Sequence, residues 1–486
     1  MHAVQVLGVV GAGPMGAGIA QVGLTSGLAV VLFDLNAEAL AKAGKEIEGR
    51  IARMVEKGQL AEGETGPAMD RLTLAASLAD FASCDAVIEA IVERLEPKQA
   101  LFAELEGIVA PDAILASNTS SLSIAAIARN CTHRHRVCGL HFFNPVPLMK
   151  LVEVIAAPGT SAAITQRATA LSQTLGKVPV TVKDGPGFLV NLQGRAYITE
   201  GLAITQEGVA DPATIDRIMK GGAGFRMGPF ELMDLTGIDV NYPVSTFIFE
   251  GYQYDPRLKT TTRHALMADA GLYGRKTGKG FYDYSDQAAA APDPPAPSGR
   301  KLRPRLGEMS PHWAKLGDVE TGEDVTLIAP LGEDCATACH RLGLDPRRTV
   351  AVDFTGADRR HLTVMAAIGG KAAAEDVADW LRGLDFAVEV IGDSPGFVLQ
   401  RILAMIANLG CELAQIGVGT PGDIDTAMKL AQNYPLGPLE WAEKLGVGNC
   451  LEIMRQLQAI TGSDRYRPSL WLRRRALLGL GAHTLD

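Results

Sequence analysis

The chain has 486 residues, of which 47% are hydrophobic, and this length and composition favour several globular domains over a disordered protein. A formal net charge of −9, from 46 basic and 55 acidic residues interspersed along the chain, argues against nucleic acid and membranes as partners. The N-terminal segment lacks the pattern of a signal peptide, and no apolar stretch approaches the roughly 18 residues of a membrane span, so a cytoplasmic protein is expected.

The first motif is a glycine-rich turn between two short apolar runs. Residues 4–10 are predicted to form a strand, GAGPMG follows at once, a helical pattern comes next, and the run AVVLF ends at Asp34. This order is typical of a dinucleotide-binding domain, in which two glycines let the backbone approach a pyrophosphate and the third lets helix and strand pack closely. Asp34 would bind the adenosine ribose and repel a 2′-phosphate, which favours NAD over NADP. The expected cofactor-binding residues are Gly11, Gly13, Pro14, Met15, Gly16 and Asp34.

Further along, the runs DAVIEAIVE and AILASNTSS each begin apolar and end in polar residues. In an open parallel sheet such strand ends lie at the carboxyl edge, where ligands bind. Glu93, Lys98, Asn118 and Ser120 are therefore candidates to line the site, and ordinary loop caps are the alternative reading.

The stretch HFFNPVPLMKLVEVI, which begins at His141, reads as strand, turn and strand. A carboxylate at Glu153 is costly in apolar surroundings unless another group pairs with it, and His141 is the natural partner. An imidazole oriented by a carboxylate suits a general base near neutral pH. A core histidine satisfied by a structural carboxylate would give the same pattern.

Cysteines and histidines do not predict a metal site. The seven cysteines are scattered without a CxxC pair, which indicates a reducing compartment. Cys335, Cys339 and His340 fall in one predicted helix without a second ligand pair, so we interpret them as a helix face and expect no metal.

Several blocks of the sequence resemble the 3-hydroxyacyl-CoA dehydrogenase family. They are GAGPMGAGIAQ, IEAIVERLEPKQALF, SNTSSLSI, GLHFFNPVPLMKLVEVI, DGPGFLVN and FRMGPFELMDLTG, in family order over residues 4 to about 285. The resemblance implies NAD-dependent, reversible oxidation of an L-3-hydroxyacyl-CoA to the 3-ketoacyl-CoA, as in fatty-acid β-oxidation. It implies four catalytic residues, which are His141, Glu153, Ser120 and Asn191.

The resemblance also assigns binding residues. It implies that Glu93, Lys98 and Asn118 lie near the nicotinamide and its ribose. Lys57 matches a family lysine near the CoA phosphates, although a solvated helix lysine is an equal alternative. The chain departs from the family where the asparagine of PGFxxN is usually followed by arginine, because Leu192 stands there.

The segment after Asp184 recurs 209 residues later without a gap. Matching pairs include Asp184 and Asp393, Gly187 and Gly396, Pro212 and Pro421, Ile215 and Ile424, and Gly237 and Gly446. A constant register over this stretch predicts a duplicated helical domain. At the position of Asn191, however, the second copy has Gln400.

Between the copies, DVTLIAP, ATACHRLG and TVAVDF suggest a βαβ pattern without GxGxxG or an HFFNP histidine, which we interpret as a vestigial domain that has lost the cofactor. The predicted domains are an α/β Rossmann-type NAD-binding domain (1–185), an all-α helical C-terminal domain (186–285), a Pro-rich linker (286–304), a degenerate Rossmann-like domain (305–391) and a second helical domain (392–486). A monomer with an internal pseudo-dimer, or a homodimer, is expected.

The C-terminal TGSDRYRPSLWLRRRALLGLG resembles long bacterial members associated with phenylacetate breakdown, which act on 3-hydroxyadipyl-CoA, although its Arg-rich helix also fits a solvated face. Two alternatives to an active 3-hydroxyacyl-CoA dehydrogenase remain. One is a structural or NAD-binding homologue without catalysis, against which the complete catalytic set argues. The other is a β-hydroxyacid dehydrogenase with a lysine base, but DGPGFLVNLQGRAYITEGLAI contains no lysine in its helix.

Overall fold

The computed structural model describes residues 3–285, 297–307 and 310–485. Most of the predicted linker, residues 286–296, lies outside the described residues. In the part of the chain that is described, no helix combines the length and apolar character needed to cross a membrane.

The structure contains both strands and helices over residues 6–183 and 304–391, whereas the segments 190–269 and 399–478 are helical. The strands are β1 (Val6–Val10), β2 (Ala29–Phe33), β3 (Leu72–Leu74), β4 (Ala86–Glu89), β5 (Ile114–Ser117), β6 (Val137–Phe142), β7 (Leu151–Ala156), β8 (Val178–Lys183), β9 (Pro304–Leu306), β10 (Val325–Ile328), β11 (Thr349–Asp353), β12 (His361–Met365) and β13 (Ala387–Ile391). The helices are α1 (Pro14–Thr25), α2 (Ala37–Glu56), α3 (Thr65–Asp70), α4 (Leu95–Glu106), α5 (Ile124–Ile127), α6 (Ala162–Thr174), α7 (Val190–Gln193), α8 (Arg195–Gln206), α9 (Pro212–Ala223), α10 (Pro229–Thr236), α11 (Ile238–Gly251), α12 (Thr262–Asp269), α13 (Cys335–Leu342), α14 (Lys371–Gly383), α15 (Leu399–Gln415), α16 (Pro421–Gln432), α17 (Pro438–Leu445), α18 (Val447–Thr461) and α19 (Leu470–Leu478).

The first sheet has the strand order β3-β2-β1-β4-β5-β6-β7-β8. Strands β6 and β7 pair antiparallel, and the other neighbours pair parallel. Strands β1, β4 and β5 are almost wholly buried, as expected for parallel strands covered on both faces. The strand order reverses between β1 and β4, and in such sheets ligands bind outside the carboxyl ends of the strands at this point. The predicted Rossmann-type domain is confirmed.

The chain divides into two compact units. The first unit contains residues 1–190 together with 417–431, and the second contains residues 191–416 together with 432–486. The first unit therefore includes most of α16, although this helix comes from the far end of the chain. Its attachment includes a backbone hydrogen bond in which the Lys183 N–H donates to the Val418 carbonyl oxygen over 2.9 Å.

The second unit contains most helices and a smaller sheet with the strand order β13-β12-β11-β10-β9. Its predicted βαβ pattern is present as β10, α13 and β11, with β10 and β11 parallel. Strands β12 and β13, which flank α14, were not predicted, because each is a five-residue run without a glycine motif to mark it. The antiparallel step between β11 and β12 repeats the step between β6 and β7 of the first sheet.

Helix boundaries in the two helical segments recur at the 209-residue spacing. Helix α9 begins at Pro212 and α16 at Pro421, and α10 begins at Pro229 and α17 at Pro438. The first residue of a helix suits proline, whose ring fixes φ and whose missing N–H is not needed there. The 209-residue spacing seen in the sequence therefore also relates the first residues of these helices.

Candidate active site

In the glycine turn between β1 and α1, two glycines are required by the backbone geometry, and a third leaves open space beside the helix N-terminus. Gly11 has φ +107°, and a Cβ there would lie 2.4 Å from the Ala90 carbonyl oxygen, so the turn itself requires glycine. A Cβ on Gly16 would lie 1.8 Å from the Gly11 oxygen, so close packing requires this glycine as well. Gly13 caps the N-terminus of α1, and a Cβ there would meet nothing within 4 Å. The space beside Gly13, at a helix N-terminus, fits the pyrophosphate of a dinucleotide.

Asp34 lies directly after β2, at the same edge of the sheet as the glycine turn. One carboxylate oxygen accepts a hydrogen bond from Ala12 N–H over 2.8 Å, and the other accepts from Asn36 N–H over 2.9 Å. These bonds fix the carboxylate beside the turn, and each oxygen keeps a lone pair for a further donor. The arrangement fits the ribose hydroxyls of NAD and is unfavourable for a 2′-phosphate.

A buried ion pair that the sequence reasoning missed lies at the ends of β4 and β5. Glu89 accepts from the Lys98 ammonium over 2.5 Å and from the Ser117 hydroxyl over 2.6 Å, and both charged side chains are 1% exposed. Lys98 also contacts Glu93 at 3.1 Å. The signal in the sequence was a carboxylate at the last position of the apolar strand AVIE. Lys98 therefore lies between two carboxylates at the edge of the site.

Glu93 is held by donors from the following strand end. Its carboxylate accepts from the Thr119 hydroxyl over 2.5 Å and from Ser120 N–H over 3.0 Å. Burial by itself would raise the pKa of Glu93, but the Thr119 hydrogen bond and the Lys98 charge outweigh it and lower the pKa. The group is thus a carboxylate at neutral pH and ties the β4 and β5 ends together.

His141 and Glu153 face each other across the antiparallel pair β6 and β7. The distance from His141 Nδ1 to Glu153 Oε2 is 2.6 Å. The other oxygen of Glu153 accepts from the N–H groups of Leu189 and Val190 over 3.0 and 2.9 Å, and Glu153 is 0% exposed. The predicted pairing of this histidine with this glutamate is present, and the carboxylate is anchored on both oxygens.

A cavity of about 320 Å³ lies in front of His141. Its lining residues from the predicted set are Met15, Glu93, Lys98, Asn118, Ser120 and His141. Phe143 closes one side, with its ring 4.5 Å from the imidazole between centroids. Asn118 Oδ1 accepts from Phe142 N–H over 2.8 Å, so the Asn118 Nδ2 is the atom that can donate to a ligand. Candidates from four separate segments thus line one cavity.

Two of the predicted site residues, Asn191 and Lys57, are not among the residues that line this cavity. Asn191 is in α7 and is the first residue of the second compact unit. Lys57 follows the last residue of α2 and is exposed, which leaves the solvated-lysine alternative open. Near Asn191, the buried Arg195 donates to the Asn191 carbonyl oxygen over 3.0 Å and to the Ser245 hydroxyl over 2.6 Å. This arginine lies three residues after Leu192, the position where the family pattern has arginine.

The structure also bears on the possible metal cluster. Cys335 and Cys339 lie in α13, as predicted, with their sulfur atoms 3.9 Å apart and both buried. Burial raises the pKa of both thiols, which disfavours the thiolate form that binds metal ions. Within residues 3–285, 297–307 and 310–485, no group of three or more His, Cys, Asp or Glu is arranged to hold a metal ion.

The strand order, the glycine turn and the acid after β2 are those of a Rossmann-class dinucleotide-binding domain. Residues 6–185 match the model of "3-hydroxyacyl-CoA dehydrogenase, NAD binding domain". Residues 187–284 and 396–485 both match the model of "3-hydroxyacyl-CoA dehydrogenase, C-terminal domain". The chain belongs to the 3-hydroxyacyl-CoA dehydrogenase family, as its sequence motifs predicted, and is an NAD-dependent oxidoreductase.

Similar proteins cover both the whole chain and its first half. A 3-hydroxyadipyl-CoA dehydrogenase of Escherichia coli K12 is 38% identical over 98% of this chain and 98% of its own length. A probable 3-hydroxybutyryl-CoA dehydrogenase of Deinococcus radiodurans is 42% identical over 57% of this chain and 99% of its own. The crystal structure of a 3-hydroxybutyryl-CoA dehydrogenase from Escherichia coli K12 has a TM-score of 0.90, at 38% identity, and covers 98% of this chain and 99% of that one.

Proposed function

We propose that the chain carries out its family's reaction in the cavity in front of His141. The reaction is the reversible oxidation of an L-3-hydroxyacyl-CoA to the 3-ketoacyl-CoA. The observation that supports this site best is the 2.6 Å contact between His141 Nδ1 and the fully buried Glu153. It provides a base whose orientation is fixed at one edge of a cavity that also meets the glycine-turn residue Met15.

The proton transfer follows from the geometry of the pair. Because Glu153 accepts at Nδ1, the imidazole carries its proton on that nitrogen, and Nε2 is the atom that takes the proton of the substrate hydroxyl. The imidazolium that forms is then stabilised by the anchored carboxylate. Bound NAD supplies the acceptor for the hydride that leaves C3. In the reverse direction, His141 returns the proton to the ketone oxygen.

We assign supporting roles to Ser120 and Asn191. Ser120 lines the cavity beside His141 and is suited to hydrogen bond the oxygen on C3. Asn191 is proposed to bind a substrate oxygen because it occupies the asparagine position of the PGFxxN motif. Lys57 is proposed to contact the CoA phosphates, where an ammonium group would be favourable.

We propose 3-hydroxyadipyl-CoA as the substrate, with 3-hydroxybutyryl-CoA as the second candidate. The first rests on the relative of that name that is similar over nearly the full chain, and the second on the crystal structure with a TM-score of 0.90. Steady-state reduction with NADH should give a higher kcat/KM for 3-oxoadipyl-CoA than for acetoacetyl-CoA. The reverse order would favour the short-chain substrate, and activity with neither would contradict the assignment of the site.

We also propose that the second half is a duplicated copy without chemistry. Both helical segments match the same family domain, and their helices begin at positions 209 residues apart. At this spacing Glu153 corresponds to Leu362, which lies in β12 as Glu153 lies in β7. A leucine thus stands where the first half has the carboxylate that orients the proposed base.

The other changes in the second half point the same way. Gln400, at the position of Asn191, accepts from Gly332 N–H over 2.9 Å and donates to Asp353 over 3.1 Å, so its amide ties strand ends together. The second sheet begins with the counterparts of β4 and β5, and among the described residues it has no counterparts of β1 and β2, which carry the glycine turn and the ribose acid. These features support one cofactor site per chain.

A further inference from the structure

The two helical copies, defined as residues 187–284 and 396–485, meet in the second unit around a local two-fold relation. Helix α8 packs against α15, which is its own counterpart at the 209-residue spacing. The 3-10 turn Pro256–Leu258 packs against its counterpart Asp464–Tyr466. Arg465 donates to the carbonyl oxygen of Pro256, the residue at its own repeat position, over 3.4 Å. Elements that contact their own counterparts lie beside a two-fold axis.

The charges at this contact do not follow the two-fold relation. Glu200 of the first copy is fully buried and accepts from Arg401 over 2.6 Å and from Arg465 over 2.7 Å, both in the second copy. Arg401 also donates to both oxygens of Glu207 over 2.7 and 2.8 Å. Tyr466 completes the network by donating to Glu200 over 2.9 Å. All the glutamates belong to one copy and both arginines to the other.

The counterparts of these residues are apolar. Glu200 and Glu207 correspond to Leu409 and Ile416, and Arg401 and Arg465 correspond to Leu192 and Pro256. On the other side of the axis, therefore, leucines and a proline occupy the positions of the ion pairs.

A second ion pair across the contact is also asymmetric. Arg257 of the first copy contacts Glu412 of the second at 2.9 Å. Their counterparts are Tyr466 and Ala203, which cannot form an ion pair. The polarity of this pair is opposite to that of the first network. Arg257 also contacts Asp255 of its own copy at 2.6 Å, and the Glu412 side chain is 21% exposed, so losing this pair costs less than losing the buried network around Glu200.

We propose that this asymmetry makes the first helical copy select a second helical copy as its partner and reject another first copy. Two first copies would oppose Glu200 to Leu192 and Pro256, and two second copies would oppose Arg401 to Leu409. Each arrangement buries a charge without its counter-ion, which is far more costly than burying the matched pair. The inference rests on the 209-residue repeat and is independent of the proposed substrate.

The burial of Glu200 shows how strongly it depends on the matched arginines. Burial alone would raise its pKa, yet Arg465 and Arg401 outweigh that effect and lower the pKa. Glu200 is therefore a carboxylate in the folded chain. Opposed to a leucine instead, it would keep the burial penalty and lose both counter-ions.

The test uses the folded full-length chain, cut at a specific protease site placed within residues 286–296. One preparation is labelled with heavy isotopes and another is left light. Both are cut and mixed, and native mass spectrometry then identifies which fragments form complexes. Every complex is expected to contain one N-terminal and one C-terminal fragment. Complexes of two N-terminal fragments in the unsubstituted protein would overturn the proposal.

A triple variant, Glu200→Leu with Arg401→Leu and Arg465→Leu, makes this part of the contact apolar on both sides. Buried ion networks replaced in this way often keep or gain stability, so association is expected to persist. Selection should be lost, and pairs of N-terminal fragments should appear. The control is Asp239→Ala with Lys276→Ala, which removes a half-exposed ion pair inside the first copy and should leave selection unchanged. Strict one-to-one pairing in the triple variant would contradict the role of the charges.

A single substitution, Glu200→Gln, covers the case in which the triple variant does not fold. It keeps the size of the side chain and leaves Arg401 and Arg465 without a counter-ion. The dissociation constant of the cut complex is expected to rise about 100-fold, while binding of NADH to the first unit stays the same. An unchanged dissociation constant would overturn the proposal, as would complexes of two N-terminal fragments in the unsubstituted protein.

Discussion

The imidazole of His141 is constrained on several sides. Glu153 holds Nδ1, and the rings of Phe143 and Phe188 lie 4.5 and 5.9 Å from the imidazole between centroids. Because the ring cannot turn without breaking the contact with a fully buried carboxylate, Nε2 keeps one direction. For the proposed base, this geometry removes the need to orient the ring again in each catalytic cycle.

We expect His141→Gln to lower kcat by about 10²- to 10⁴-fold, the range for loss of a general base. Glutamine can keep a hydrogen bond to Glu153 but cannot take a proton at neutral pH. Binding of NADH, measured by fluorescence titration, should persist. His135→Gln is the matched control, because His135 is exposed and its loss should leave the rate unchanged. Near-normal turnover in the purified His141→Gln enzyme would refute the assignment.

Among the elements, the turn between β1 and α1 contains two glycines at which a Cβ would collide with the backbone and one glycine with open space beside it. Gly16 would place a Cβ 1.8 Å from a backbone oxygen, whereas Gly13 has open space around it. The sequence motif does not distinguish Gly11 from Gly13. Only the structure shows that Gly11 packs against Ala90 whereas Gly13 does not.

We expect Gly13→Ala and Gly16→Ala to fail in different ways. The first should leave the urea midpoint unchanged and raise the dissociation constant of NADH about tenfold, because its methyl group occupies the approach to the helix N-terminus. The second should destabilise the first unit by about 1–3 kcal/mol, as overpacking does. Equal losses of stability in both variants would mean that Gly13 has only a structural role.

On the scale of the whole molecule, two helical segments match the same family domain, and each follows a sheet with an antiparallel step. The second sheet keeps the antiparallel step at which β6 and β7 carry the base and its carboxylate, and Asp353 there is a buried acid tied to Gln400. Burial raises the pKa of Asp353, although hydrogen bonds from Thr355 and Gln400 oppose the shift. The Gln400 amide thus connects Asp353 with the Gly332 backbone inside the second unit.

We expect isothermal titration calorimetry to find one NADH bound per chain. The second half has Leu362 at the position 209 residues after Glu153 and, in its described part, lacks the glycine turn. Gly13→Ala in the full chain should weaken this single binding event without revealing another. A stoichiometry of two would contradict the proposed loss of the cofactor site.

Local patterns in the sequence determined much of this protein. The GAGPMG turn, the alternation of strands and helices, the pairing of His141 with Glu153 and the 209-residue repeat were all legible, because each depends on neighbouring residues or a fixed spacing. The family assignment followed from the same blocks.

The tertiary structure decided which distant charges meet. Lys98 lies between Glu89 and Glu93, and Glu200 meets an arginine 201 positions away in the chain. The segment 417–431 belongs to the first unit although its repeat partner lies in the second. No local period encodes such pairings, since burial and counter-ions are set by how separate segments pack. A single sequence therefore indicates which residues are available for the site. The packing of separate segments decides which charged residues form ion pairs.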